Sequence, residues 1–513
     1  MAARKPTARP GGPSAGKTAA AKPKVARKAP TRKMAPKAAP QVQIRMYRLG
    51  IGDCFMLSLP RRDGTPFRML VDCGIHAAEP GGAQRIRAAV QDIDATFGGG
   101  FDIVVGTHEH WDHLSGFLHA QDIFRPGAAA ALWCAWTEDL RDPVARSLLG
   151  SRELGVAALW DTVRHLAEHQ AYGARPGNGD PPRDWDGVIG FFGDSPGIGP
   201  KAKAAAEAMR RLLAPGGQVT YHAPGEPPFD AVSDDWRIFV LGPPRDPAAL
   251  KKADPSAHGG EAYPLSVAEL AMVDMAAASL SAAIDPRDEP PFDRRYAIGL
   301  EASQDLAFFR DHYWADAATG DAAAGVDSGQ AWRRIGFAWL DGAEALALKL
   351  DRITNNTSLV LALEIGPAAA QDNPVLLFAA DAQIGNWLSW AGVTWPDYHG
   401  RQVTGADLLR RTVVYKVGHH ASHNATLMDG GLEAMRKLRL ALVPTSAATA
   451  GSVGWGTLPW PSLLDRLGQL TGDRVLRSDL GASPGTASIP GIAVTEDAAW
   501  FDITLPLDLK LDP

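Results

Sequence analysis

The hydrophobic positions of this chain fall into many short runs, none of them long. From Gln41 onward, VQIRMYRLG, CFMLSLP and RMLVDCG read as three short strands, and RRDGTP between the last two supplies Asp-Gly and Pro turn signals. FDIVVGTH is a further buried strand that runs straight into a polar cluster, and LWCAWTED reads as another strand. Residues 143–172 carry helical spacing, as does PKAKAAAEAMRRLLAP, a helix with an Ala-rich face stopped by Pro215-Gly216-Gly217. The Gly-, Pro- and Asp-rich stretch 173–200 between them reads as a loop, and DWRIFVLGPP as a strand.

The pattern changes over 245–345. PLSVAELAMVDMAAASLSAAI and SQDLAFFRDHYWADA read as helices separated by Pro/Asp loops, so this stretch is expected to be a mainly helical insertion. Strands then resume with TSLVLALEIG, PVLLFAADA, TVVYKVGHH and RLALVPTS. Two strand-rich halves with interspersed helices predict an α/β fold, an αββα sandwich. The expected divisions are an arm over 1–40, a first half over 41–244, the insertion over 245–345 and a second half over 346–513.

Charge sharpens this picture. The first 40 residues hold eleven of the 52 Lys/Arg and none of the 58 Asp/Glu, which leaves the rest of the chain with a net charge of −17. An arm of Ala, Lys, Pro and Arg has little to bury and is expected to be disordered. It suits a nucleic-acid tether, a solubilising leader, or a strand of charge that folds back onto the acidic body. No apolar run approaches the length of a membrane span, and no apolar leader segment opens the chain. Cys54, Cys73 and Cys134 form no disulfide framework and no metal knuckle, which points to a reducing cytoplasm.

The strongest chemical signal is THEHWDHLSG, which places His108, His110, Asp112 and His113 within six residues at the end of an apolar strand. Alternating residues beyond a strand end can point to one side, so His108 and His110 can converge on one ion while Asp112 and His113 turn to a neighbour. Imidazole with carboxylate suits zinc first and leaves manganese open. Packing alone gives no reason to crowd three histidines and an aspartate together, because such groups desolvate one another unless an ion or a hydrogen-bond network organises them.

These residues match in full the H-x-H-x-D-H motif of the metallo-β-lactamase superfamily, which the chain resembles. MLVDCG resembles that family's first motif, whose Asp, here Asp72, supports the metal loop from behind. LLFAADA resembles the fourth, whose Asp bridges both metals, here Asp381. VVYKVGHHASHNAT resembles the fifth, with a metal-binding His that is either His419 or His420. Within the superfamily, RLGIGDCFML, NNTSLVLAL, KVGHHAS and RVLRSDLGA are most similar to the soluble hydrolase domain of ComEC-type DNA-uptake proteins. The chain departs from them in the insertion and in Ala421, where that family has Gly. The resemblance implies two divalent ions and a metal-activated water. It implies a hydrolase, with phosphodiester or nucleic-acid substrates first and a small ester, lactone, amide or phosphorylated metabolite as the alternative. A binding module on a decayed hydrolase fold is a third reading.

The superfamily's third motif is not evident. His222 lies at a suitable point in the chain, and the plain alternative is an ordinary loop histidine. His423 is a candidate general acid or phosphate contact beside catalytic Asp112 and Asp381, and equally a cap for the following segment with Asn424. Trp455 and Trp460 are candidate rim residues or a buried turn. Arg477 and Asp479 match a family segment near the site.

Overall fold

In a computed structural model of the 513-residue chain, the described residues are 40–170, 201–252, 302, 305–309, 350–453, 455 and 457–511. The basic arm, the 173–200 loop and nearly all of the 245–345 insertion lie outside them.

The structure is mixed α/β with two large mixed sheets. The first has eight strands in the order β16-β17-β1-β2-β3-β4-β5-β6. These are β1 (Gln41–Tyr47), β2 (Cys54–Pro60), β3 (Pro66–Cys73), β4 (Phe101–Val105), β5 (Ala129–Ala135), β6 (Leu213–His222), β16 (Ala493–Glu496) and β17 (Trp500–Pro506). The second has seven in the order β15-β14-β13-β12-β9-β8-β7. They are β7 (Trp236–Gly242), β8 (Val360–Ile365), β9 (Val375–Phe378), β12 (Thr412–Lys416), β13 (Leu440–Val443), β14 (Val475–Arg477) and β15 (Gly481–Ala482), while β10 (Thr394–Tyr398) and β11 (Arg401–Thr404) pair only with each other.

Strand periodicity divides the core. Alternate residues of β1 and β2 (Val42, Ile44, Met46, Phe55, Leu57) join alternate residues of β7 and β8 (Trp236, Ile238, Leu361, Leu363) in one buried cluster shared by both sheets. The opposite side chains of the first sheet pack on helices α1 (Gly82–Phe97), α2 (Trp111–His119) and α4 (Ala202–Arg210); α3 (Pro143–Gln170) lies between the last two in sequence. Those of the second pack on residues of the helices Ile384–Ser389, Gly405–Arg410 and Pro461–Thr471.

Two expected elements differ. LWCAWTED is a strand only to Ala135, and Trp136–Glu138 is a 3-10 turn. The helix expected over PKAKAAAEAMRRLLAP ends at Arg210, and β6 begins at Leu213. Leu213 pairs with Ala129, but the next pairing is Gln218 with Ala131, so Ala214–Gly217 break the register. Pro215 lacks an N–H for the ladder and Gly216 has φ 83°, so these residues bend β6; they do not stop the helix, which has already ended at Arg210.

Candidate metal centre

Strands β3, β4, β9 and β12 lead into the site from their C-terminal ends. Beyond β4, His110 is extended (φ −102°, ψ 155°) and α2 starts at Trp111, which puts Asp112 and His113 in the first helical turn. Backbone there passes so close to the segment after β3 that a Cβ on Gly74 would meet the Asp112 carbonyl carbon at 2.2 Å. A side chain is therefore excluded at Gly74.

Asp72, at the end of β3, backs the loop. Its carboxylate accepts from the Thr107 N–H (2.8 Å), the Thr107 hydroxyl (2.7 Å) and His113 Nδ1 (2.8 Å). With Nδ1 of His113 held there, Nε2 turns inward, 3.1 Å from Asp381 Oδ2 and 3.7 Å from Asp112 Oδ2. His420 is fixed the same way: Nδ1 lies 2.9 Å from the Pro444 carbonyl oxygen, leaving Nε2 2.8 Å from Asp112 Oδ2 and 3.5 Å from Asp381 Oδ2. One ligand atom from each of Asp112, His113, Asp381 and His420 thus lies within 4.8 Å of every other, all four residues buried. Asp112 Oδ1, His113 Nε2 and Asp381 Oδ2 form no well-directed hydrogen bond. Buried polar atoms are normally satisfied, so this group has the donor set and the unmet valence of a cation site.

A second set sits beside it. His108 Nε2 lies 3.1 Å from His110 Nδ1 and 3.1 Å from Asn355 Oδ1. His419 Nε2 lies 3.1 Å from Asn355 Nδ2, away from the four-residue group, so the adjacent histidines of HHAS part company. Both have positive φ (38° and 51°) and so does Ala421 (64°). Among the described residues seven non-glycines have positive φ, and five of them (Asp72, Ala380, His419, His420, Ala421) lie in the segments that build this centre. Such conformations persist only where the surroundings enforce them.

Electrostatics separates the two sets. Burial disfavours charge on His113 and His420, but Asp381 and Asp112 outweigh it and raise both imidazoles. Burial also opposes charge on Asp112 and Asp381; His113 and His420 overcome it and hold both carboxyls below the ordinary range. His108 is held well below the ordinary imidazole value by burial and by His113 and His110. Burial takes His110 to about 3 and His419 to about 4. The carboxylates therefore attract positive charge at one position, and neutral imidazoles stand ready at the other.

Two buried groups extend the centre beyond the residues expected from motifs. Lys416, in the last position of β12, reaches Asp53, Asp381 Oδ1 (3.3 Å) and the Ala380 carbonyl (2.9 Å). Burial disfavours its charge, yet Asp53 and Asp381 raise the ammonium to about 12. Asp351 lies 3.8 Å from His110 Nε2, and burial, with Asp112 next, pushes its carboxyl up to about 8.

The remaining candidates sit elsewhere. His222, at the end of β6, stacks on Trp133 (4.4 Å) and has its nitrogens 2.9 Å from Thr220 Oγ1 and 3.2 Å from Glu226 Oε2; the structure does not bring it into either set. His423 is half-buried against the Trp460 ring (6.1 Å), and Trp455 packs on His76 (4.9 Å). Asp479 accepts from Arg477 and from the Ala447 N–H, a local brace for the helix Ala447–Ser452.

No family model matches the chain, and no curated protein matches it. Among the described residues no helix is long and apolar enough to cross a membrane, and the three cysteines are free and buried.

Proposed function

We propose that this chain is a metal-dependent hydrolase of the metallo-β-lactamase type, an αββα sandwich holding two divalent ions, zinc first and manganese second. The observation that carries the reading is the convergence of Asp112, His113, Asp381 and His420, with buried ligand atoms left unsatisfied. His108 and His110 extend it to a second position. Bound ions would supply Lewis acidity and acidify water toward neutral pH. The chain's own residues hold the ligands in place: Asp72 fixes the His113 ring and the Thr107 loop, Pro444 fixes His420, and Lys416 balances the charge of Asp53 and Asp381. The free cysteines suit a reducing cytoplasm.

For the substrate we favour phosphodiesters of nucleic acids or nucleotides, on the ComEC-like motifs and the eleven cations of residues 1–40. The net charge of −17 on the rest of the chain favours the second reading, a small ester, lactone, amide or phosphorylated metabolite, because it repels long polyanions. The test is cleavage of single-stranded DNA, RNA, bis(p-nitrophenyl) phosphate and a panel of esters and lactones by zinc- and manganese-loaded protein, full length and lacking residues 1–40, at two salt concentrations. Nucleic-acid chemistry predicts that removing the arm flattens the salt dependence of binding, by about 0.7 to 0.9 in log–log slope per lost phosphate contact. Turnover of esters alone, with no nucleic-acid binding, selects the second reading. No metal-dependent turnover of any of these overturns both.

A further inference from the structure

We infer that Asn355 supplies the third protein ligand of the metal position formed by His108 and His110, with Asp351 and His419 acting as the partners that aim its amide oxygen. This rests on the metal-site reading above and goes beyond it, since no third histidine reaches that position among the described residues.

The argument is an accounting of protons. The Thr107 hydroxyl donates to Asp72, so its oxygen accepts from His108 Nδ1 at 3.1 Å. Ser358 Oγ, which accepts from the Asp381 N–H, lies 3.3 Å from the same nitrogen; with both hydroxyl oxygens accepting, the hydrogen of neutral His108 is on Nδ1 and a lone pair on Nε2. The Ser422 hydroxyl donates to Asn424 Oδ1 (2.9 Å), so its oxygen accepts from His419 Nδ1 at 2.7 Å. His419 Nε2 then carries a lone pair and accepts from Asn355 Nδ2 at 3.1 Å. The other hydrogen of that amide goes to Asp351 Oδ2 at 3.2 Å. In this assignment both Asn355 hydrogens are committed, which turns Oδ1 toward His108 Nε2 at 3.1 Å.

Two lone-pair atoms, His108 Nε2 and Asn355 Oδ1, therefore face each other in a buried space. His110 Nδ1 stands 3.1 Å from the first of them, and His110 Nε2 lies on the side of Asp351 Oδ1. In the tautomer with its hydrogen on Nε2, which faces Asp351 Oδ1 at 3.8 Å, His110 presents a lone pair at Nδ1 as well. The three atoms then form a face of two nitrogens and one amide oxygen suited to a cation. Asp351 and Asn355 are four residues apart in the helical segment 350–356, so a single helix face delivers both. The Asp351 carboxyl group, bonded to the Asn355 amide and 3.8 Å from His110, and the imidazole bonded to the same amide are outer partners of the kind that orient metal ligands.

The test uses the full chain, stripped of metal and titrated with Co2+ and Zn2+, with bound ions counted by elemental analysis and cobalt d–d absorption recorded at each equivalent. The wild type is expected to bind two ions. Asn355→Leu should bind one ion as the wild type does and the other at least about 100-fold more weakly. Asn355→Asp should keep both and shift the d–d band of one, because a carboxylate replaces an amide in the coordination sphere. Asp351→Asn should weaken that same ion about 10- to 100-fold. Should Asn355→Leu fail to fold by circular dichroism, the Asn355→Asp spectrum decides. Two ions of unchanged affinity in Asn355→Leu, or an unchanged d–d spectrum in Asn355→Asp, overturns the assignment and leaves the metal reading intact. A wild type that binds no ion overturns the metal reading itself.

Discussion

Strands β8, β9 and β12 carry a buried charge cluster at each end. At one end, Glu364 on β8 accepts from Arg411 at Oε1 (2.6 Å) and from Arg237 at Oε2 (2.9 Å), with Arg401 also on Oε2. Arg411 is held further by Asp407 and the Asn373 carbonyl, and Arg237 by the Gly366 carbonyl. At the other end, Asp381 and His420 follow β9 and β12, and ligand atoms of Asp112, His113 and Asp381 lack a well-directed hydrogen bond. Both clusters are equally buried. The difference is in what is left over: in the first only one spare donor, Arg401 Nη1, lacks a partner, whereas in the second potential ligand atoms of three residues do. Burial of charge alone therefore does not mark a functional site; unmet valence inside a buried cluster does.

The contrast predicts opposite responses. Glu364→Ala leaves three guanidinium groups without their shared carboxylate and should cost about 3–5 kcal/mol of stability, with or without metal. Chemical denaturation of stripped and loaded protein checks this, and an effect that vanishes on loading would merge the two clusters into one. The next effect belongs to the other end. Saturating zinc, at about 100 times its dissociation constant, should stabilise the wild type and Glu364→Ala alike by about 2.7 kcal/mol. Asp112→Ala and His420→Ala should lose most of that gain and all turnover while remaining folded. Equal zinc-induced shifts in melting temperature across all four proteins would remove the site.

Much of this was legible in the residues. THEHWDH, the apolar strands ending in Asp72 and Asp381, and the strand before His419-His420 all place their polar groups at strand ends, where the fold gathers them. Spacing cannot separate His419 from His420, because consecutive left-handed residues follow neither helical nor strand periodicity. Lys416 had a signal: a lone Lys in the apolar run VVYKV is buried only if paired. Asn355 stood in NNTSLVLAL, one of the segments that carry the ComEC-like resemblance, but no role as a ligand was legible there, and the amide gains meaning only from Asp351 and His419 around it. Strand β17, paired with β1 on one side and β16 on the other, alternates buried and half-buried residues along WFDITLP, and β6 begins where Pro and Gly announce a stop. Those two elements depend on their sheet partners more than on local propensity.

The smallest effect concerns a third buried charge group, beside the His108–His113 loop. Glu138 lies at the end of the 3-10 turn, with Glu109, Arg210, Arg152, Cys134 and Tyr221 around it. Glu109 is paired directly with Arg152, and Arg210 stands 3.9 Å from Glu138, too far for a hydrogen bond. Burial, and then the charge of Glu109, raises the Glu138 carboxyl to about 8. A carboxyl raised in the fold binds more protons there than in the unfolded chain between about pH 4.5 and 8. Its contribution is therefore fully present below the unfolded value and is lost as pH rises through the folded one. Glu138→Gln mimics the protonated form and removes that loss. The variant should match the wild type near pH 5 and exceed it at pH 9 by on the order of 2 kcal/mol. Because Glu138 sits outside both proposed ligand sets, zinc stoichiometry should not change. A stability difference between the two proteins that is flat from pH 5 to 9 would place Glu138 with the closed cluster at Glu364, as a charge already answered by its neighbours.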